Sequence, residues 1–523
     1  MSLGICLCGS VRRVILSALA LACMVSSPGW GQPAASGNVY RISGVVVNSV
    51  NGQRLSRVRM VAAPADHSGK EVATVSGLDG RFALEGLPAG TWWLYAERKG
   101  FARQGYGERP GAANSLSGVA TGPQGMSEGL NFRWTPPAAI SGKVTDENGA
   151  PVRASLQVIM ALDTGRKQYQ RIKDVTSDEL GEYHIPDLPA APCYLLAVAS
   201  PPRSRGLSDP PPAFAPLYYP DAPDARAAAP IDLKPGEEYK ADFLLHHAQG
   251  AAVNIKGKIV AAAITLNGEG PGGAEVVLGQ LDPTESRSFL NVAPGHYKLT
   301  LTDKGGAQSS KRIEVGAGDL TVTVPFANSA AVNATVHLAD GDPAQMASAT
   351  VLLHADGDEQ TFTHAVGSGG MTISGMPSGR YKLMLGAGAL YIKSVTSANA
   401  RIVDGMVDVP ESGEVKLDVV VAGDGGKVSG RVRTNGKPAC PVRVVLAPRA
   451  DSTNSADYHS YQTDTDGSFR FAAVKPGDYI LFVTRDWKLE FGNPDAARKY
   501  LAAGRLVRVL PKSSIDTVIE LAR

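Results

Sequence analysis

A chain of 523 residues exceeds what one core holds, because single cores rarely grow past about 250–300 residues. With 58 glycines, 35 prolines and 6% aromatics it suits short strands and tight turns rather than helical bundles, and its 43% hydrophobic share excludes wholesale disorder. Charge is balanced at 52 basic against 50 acidic residues, and removal of residues 1–31 takes Arg12 and Arg13 and no acid, so a phosphate-tracking nucleic-acid binder is excluded.

In chain order, residues 1–31 read as a signal peptide of the general secretory route. Arg12 and Arg13 are the charged region, Val14 to Val25 the apolar run, and Gly29-Trp30-Gly31 offers small residues before a cut at Gln32. The run is too short for a permanent span. Ala20 stands where a lipid-anchor motif wants an aliphatic residue, so anchoring through Cys23 is not expected. The mature chain keeps Cys193 and Cys440 in different repeats, where they read as buried small apolar residues rather than a disulfide.

The remainder repeats one phrase. Its clearest copy is Leu78-Asp79-Gly80-Arg81-Phe82-Ala83-Leu84 followed by Gly86-Leu87-Pro88-Ala89-Gly90-Thr91-Trp92. Asp79-Gly80 is a turn signal, Phe82 and Leu84 alternate as in a half-buried strand, and Pro88 and Gly90 form a second turn. Copies recur at Gly181-Glu182-Tyr183 and Asp466-Gly467-Ser468-Phe469, with weaker ones near Phe289 and Ile373. The units are assigned to residues 32–135, 136–248, 249–328, 329–423 and 424–523, the third and fourth being degenerate. Ser43-Gly44, Ser141-Gly142, Gly257 and Ser429-Gly430 mark four openings. The stretch from Gly100 to Gly129 reads as a long loop, and 201–230 as a proline-rich insertion. One helix is expected, with Asn493 as N-cap, Pro494 at its first position and Gly504 at its end.

Ser43-Gly44-Val45-Val46, Asp79-Gly80-Arg81-Phe82 and Leu87-Pro88-Ala89-Gly90-Thr91-Trp92 resemble the carboxypeptidase regulatory-like domain. That resemblance implies a transthyretin-like (prealbumin-like) sandwich related to starch-binding-like and collagen-adhesin B-type folds. Phe101 to Gly107, Ala215 to Pro220 and the helix before the last strand resemble secreted bacterial proteins that string such domains together. The fold class is therefore all-β: a tandem array of about five sandwiches with one short helix near the C-terminus. The peptidase that lends the family its name is a separate domain, and nothing here resembles it.

No catalytic, cofactor or metal site is expected. The nine histidines are scattered, lack a His-Glu-x-x-His pattern, and the adjacent His246 and His247 would face opposite ways in a strand. Gln462 to Gly467 starts like a calcium loop, but Phe471-Ala472 stands where the closing Glu belongs, so a hairpin turn is expected. The adhesin relatives carry Lys–Asn isopeptide bonds; Lys143 and Lys258 are placed for one, without an identifiable partner. Glycan contact needs exposed aromatics. Tyr194, Tyr297, Tyr381 and Tyr479 share the slot of Trp92, which makes Trp92 core and leaves Trp93 outward. Tyr218 and Tyr219 in the insertion either form a second exposed pair or pack on their own sandwich. The expected function is a non-catalytic exported binding, spacer or scaffold protein of the bacterial envelope, at the periplasm, the cell surface or outside. Its partner would be an envelope protein or a glycan, with no nucleic acid and no membrane anchor after cleavage. Alternatives are a carbohydrate-binding protein using Trp93, Tyr218 and Tyr219, and an accessory subunit of a secreted peptidase.

Overall fold

The computed structural model describes residues 39–521 apart from several internal stretches, the longest being 200–212, 257–262, 324–329 and 451–456. The signal segment, Cys23 and Lys258 lie outside the described residues. The chain is a tandem array of β-sandwiches, each built from two facing sheets. In the first, β1 (Tyr40–Asn48), β2 (Arg59–Pro64), β3 (Val72–Val75), β4 (Arg81–Leu87), β5 (Gly90–Arg98), β6 (Phe101–Gly105), β7 (Val119–Thr121) and β8 (Leu130–Trp134) follow in order. One sheet runs β4-β1-β8 and the other β3-β2-β5-β6, with β7 also on β5. Alternating side chains fill the space between them, including Ile42, Val46, Met60, Leu84, Trp92 and Phe132. Each large apolar side chain buried this way contributes about 1.5–3 kcal/mol.

The same order recurs. In every sandwich the opening strand lies between an antiparallel phrase strand and a parallel closing strand. The parallel pairs are β1 with β8, Ala138–Asp146 with Glu238–Lys240, Ala251–Lys256 with Leu320–Thr323, Ala330–Asp340 with Gly413–Ala422, and Gly426–Thr434 with Ser514–Glu520. A parallel neighbour needs a long crossover, and here the whole second sheet is that crossover.

This topology explains the repeated residues. A Cβ at Gly44, Gly142 or Gly430 would sit 2.2, 1.8 or 2.0 Å from a carbonyl oxygen of Leu130, Ala241 or Thr517 in the closing segment. The opening glycine therefore admits the closing chain. In the third sandwich Ile255 faces the phrase strand at that position, two residues before Gly257, which is outside the described residues. Gly80, Gly181 and Gly467 have φ of 73°, 75° and 78°, and their carbonyls accept the amides of Val46, Val144 and Val432 on the opening strands. The Asp-Gly turn is thus a bolt between strands.

A second recurrent feature is a bulge one residue before the buried end of the phrase strand. The ladder slips there, and Gly86, Asp187, Asn291 and Ala473 take φ of 74°, 55°, 56° and 53°. Five residues after each bulge's buried neighbour (Leu87, Leu188, Val292, Met376, Val474) comes the core slot of the next strand: Trp92, Cys193, Tyr297, Tyr381 and Tyr479. Tyr194 is therefore one position out of register. Cys193 is fully buried and Tyr194 faces outward, in the position Trp93 has in the first sandwich. Tyr297 and Tyr479 donate their hydroxyls to the carbonyls four residues back, at 2.7 and 2.8 Å, and the Trp92 indole points to Pro88 in the same way at 3.4 Å.

The helix spans Pro494–Ala503, with Asn493 capping the Asp495 amide at 3.1 Å. The stretch from Gly100 to Gly129 is not one loop. It forms β6 and β7, and an arm of residues 106–109 and 115–121 lies on the fifth sandwich.

Candidate functional site

A buried polar network joins the first and fifth sandwiches. The turn between His459–Gln462 and Ser468–Val474 carries Gln462, Thr463, Asp464, Thr465 and Asp466, all buried. It meets the arm around β7. The Gly118 amide donates to Asp464 Oδ1 at 3.0 Å, the Thr465 amide to the Gly118 carbonyl at 2.9 Å, and the Ala120 amide to Thr465 Oγ1 at 3.1 Å. Gln462 Nε2 donates to the Gly107 carbonyl at 3.0 Å and to Ser117 Oγ at 2.8 Å. Gly118 is required: a Cβ there would lie 2.5 Å from Asp464 Oδ1 and 2.3 Å from Thr91 Cγ2. At the side of this patch Arg109 lies 3.9 Å over the Trp487 ring, with Arg443 at 5.0 Å from the same ring. Burial and the Arg443 charge both lower the affinity of Arg109 for its proton.

Asp464 is 2% exposed, and burial pushes its carboxyl up to about 6 despite hydrogen bonds from Tyr461 and Gly118. Tyr461 Oη donates to it at 3.0 Å, and burial raises that phenol further from ionisation. The calcium-like stretch is thus a hairpin turn whose first carboxylate is committed to an inter-sandwich contact. Cys440 lies beside it, its thiol 3.3 Å from the Thr463 carbonyl and 3.6 Å from Ser117 Oγ, and burial pushes that thiol up to about 11. Cys193 and Cys440 are both free.

Tyr218 and Tyr219 are not an exposed pair. Tyr218 is 4% exposed and packs with Ile159, Leu196 and Val198 of the second sandwich and Val276 of the third. Its hydroxyl has no partner among the described residues. Gln157 Nε2 seals the same junction by donating to the Val277 carbonyl at 2.6 Å. Tyr219 is half-buried, edge-on to Tyr239 and Phe243 at 5.9 and 5.8 Å. Trp93 is half-buried on the outer face of β5, opposite Trp92, and Arg103 covers the neighbouring outer ring of Tyr95 at 3.9 Å. These three residues lie in two separate places and do not form one site.

His246 and His247 do not diverge. They sit where strand Phe243–Leu245 gives way to His247–Ala248, and both Nδ1 atoms meet Glu147, at 3.0 and 3.4 Å. Those contacts hold the Glu147 carboxyl below its ordinary range. Among the described residues no group of three or more His, Cys, Asp or Glu is arranged to hold a metal ion. Lys143 is exposed, with its amide rather than its side chain bonded to Asp242 at 2.9 Å. Among the described residues no helix is long and apolar enough to cross a membrane.

Comparison with known proteins places a likeness in the fifth sandwich. Residues 424–497 match the family described as BOS complex subunit NOMO1-like, second beta sandwich domain. No curated protein matches the chain. Among solved structures, the Bacillus anthracis TIE protein aligns at 12% identity over 74% of this chain and 75% of its own, with a TM-score of 0.17. BcpA, the major pilin subunit of Bacillus cereus, aligns at 11% identity over 73% of this chain and 99% of its own (TM-score 0.13). Two B repeat units of the collagen binding protein of Staphylococcus aureus align at 10% identity over 73% and 100% (TM-score 0.12). Scores this low carry no argument about activity.

Proposed function

We propose that this protein is a non-catalytic, exported scaffold or spacer of the bacterial cell envelope, built from carboxypeptidase regulatory-like sandwiches. One observation carries the reading: the residues richest in chemistry are spent on joining sandwiches to one another. Asp464 and Gln462 hold the first and fifth together, and Tyr218 with Gln157 holds the second and third. The fourth meets the fifth through Tyr391 Oη on Asp424 at 2.8 Å and Lys512 on Asp340 at 3.1 Å. Contacts of this kind restrict how neighbouring modules move against one another, which is what a spacer must supply. Fractionation of cells carrying the tagged full chain tests it. The expected result is envelope-associated or released protein shortened by about 3 kDa through loss of the leader. Unprocessed cytoplasmic protein, or peptide hydrolysis by the purified chain that a chelator abolishes, would overturn it.

A second reading, glycan recognition, is favoured by one feature, the outward half-exposed ring of Trp93. It predicts glycan-array signals that Trp93→Ala abolishes. An array without signal removes it.

A further inference from the structure

The contact between the first and fifth sandwiches turns on a carboxylate that has left water. We propose that it is an acid-tightened clasp: protonation of Asp464 fastens the fifth sandwich onto the β7 arm of the first, and its ionisation loosens the two. Such a clasp would act wherever the protein resides.

Comparison with a second turn points to docking as one cause of that burial. Asp178 holds the same place in the turn of the second sandwich, where Gly181 donates to its carbonyl as Gly467 does to that of Asp464. Asp178 is exposed, and its carboxylate accepts the nearby amides of Leu180 and Glu182 at 2.9 and 2.8 Å. The turn itself therefore does not require a buried carboxylate. In the fifth sandwich the arm of the first lies across the turn, and Asp464 is 2% exposed. The groups facing Asp464 from its own sandwich are the Tyr461 hydroxyl, Ser468 Oγ at 3.2 Å, Arg470, Cys440 and Asp466, the last paired with Arg431 at 3.5 Å. From the first sandwich it meets the Gly118 amide, with the Tyr106 phenol beside Cys440. Arg109, the nearby cation of the arm, is stacked on Trp487.

The sign follows from linkage. Burial raises the carboxyl from 3.8 to about 6, so the docked state binds the proton more tightly than the open one. The gain is complete below the ordinary carboxylate value and is lost as pH rises through about 6. A rise of this size bounds the change in the docking constant at about 100-fold, and burial within the turn itself reduces the expected change to about 10-fold.

Hydrogen exchange on the full chain, corrected for the intrinsic pH dependence of exchange, tests the clasp. Between about pH 4 and 7, amides in segments 106–109, 115–121 and 462–466 should lose about 10-fold in protection. The turn amides of Gly181 and of the second sandwich should not change. In Asp464→Asn, which cannot ionise, both segments should stay protected at every pH. A flat wild-type profile, or a pH-dependent loss that persists in Asp464→Asn, would overturn the proposal. If that variant does not fold, the wild-type profile decides. A loss confined to the two segments supports the clasp, and a loss spread through strand Arg443–Pro448 of the fifth core overturns it.

Discussion

Two turns of the molecule share one backbone and differ in what covers them. In the second sandwich the Asp178 turn faces water and its carboxylate serves its own amides. In the fifth, the Asp464 turn is covered by a segment that enters from 346 residues earlier in the chain, and its carboxylate serves that segment as well as Tyr461 and Ser468. A sequence motif can therefore hold its fold role unchanged while its polar group is moved from local capping to joining modules. The part that bolts the strands is the glycine; the part free to acquire another task is the acid.

Substitutions at the bolts should have the largest effect, and the same one in both turns. Gly181→Ala and Gly467→Ala place a Cβ 2.3 and 2.5 Å from the carbonyl oxygens of Val144 and Val432, at φ values that disfavour it. Each should cost its own sandwich about 2–4 kcal/mol, read by denaturation followed through sandwich-resolved hydrogen exchange. The acids should separate the turns. Asp464→Ala leaves the Gly118 amide and the Tyr461 hydroxyl without their acceptor and should weaken the first–fifth contact by about 2–3 kcal/mol, whereas Asp178→Ala should cost about 1 kcal/mol and stay local. Equal costs at both positions would erase the distinction.

The bulges sharpen the comparison at smaller scale, since backbone needs alone set them. Ala473→Gly should gain about 0.5–1 kcal/mol and Gly86→Ala should lose about 1 kcal/mol, although a Cβ at Gly86 meets nothing within 4 Å. Thermal unfolding of matched variants reads both signs. The smallest effect belongs to buried hydroxyls. Tyr218→Phe removes a group without a partner and should raise stability by a few tenths of a kcal/mol, while Tyr297→Phe gives up the bond to Ala293 and should lower it by about 1 kcal/mol.

The sandwich build was legible where a residue type answers a local need. Asp79-Gly80 and Asp466-Gly467 announce turns, Asn493-Pro494 announces a helix start, and Phe82 with Trp92 reads as core from alternation. The register of the second unit was not legible, because Cys193 fills a slot that aromatics hold elsewhere and Tyr194 stands one residue beyond it. The bulge was hidden for the same reason: only one of its four left-handed residues, Gly86, is a glycine. What escaped wholly was contact between modules. Nothing near Tyr218 signals the third sandwich, and nothing in the arm from Gly105 to Thr121 names a partner some 340 residues away. Such contacts depend on how modules are arranged, which local periodicity does not encode. A repeat whose turn gained buried-contact residues (Gln462, Thr463, Thr465) beside the Asp-Gly bolt was the one available sign.

The parallel closing strand has a mechanical consequence. Because the first and last strands of each sandwich run side by side in the same direction, the chain enters at one end of the pair and leaves at the other. Tension along the array then loads the ladder between them in shear, so that its hydrogen bonds share the force instead of opening one after another. In the fourth sandwich that ladder runs from Ala330–Gly413 to Asp340–Ala422, longer than the five-residue ladder of the first. Under load the degenerate fourth repeat would thus have the longest shear clamp among the described residues.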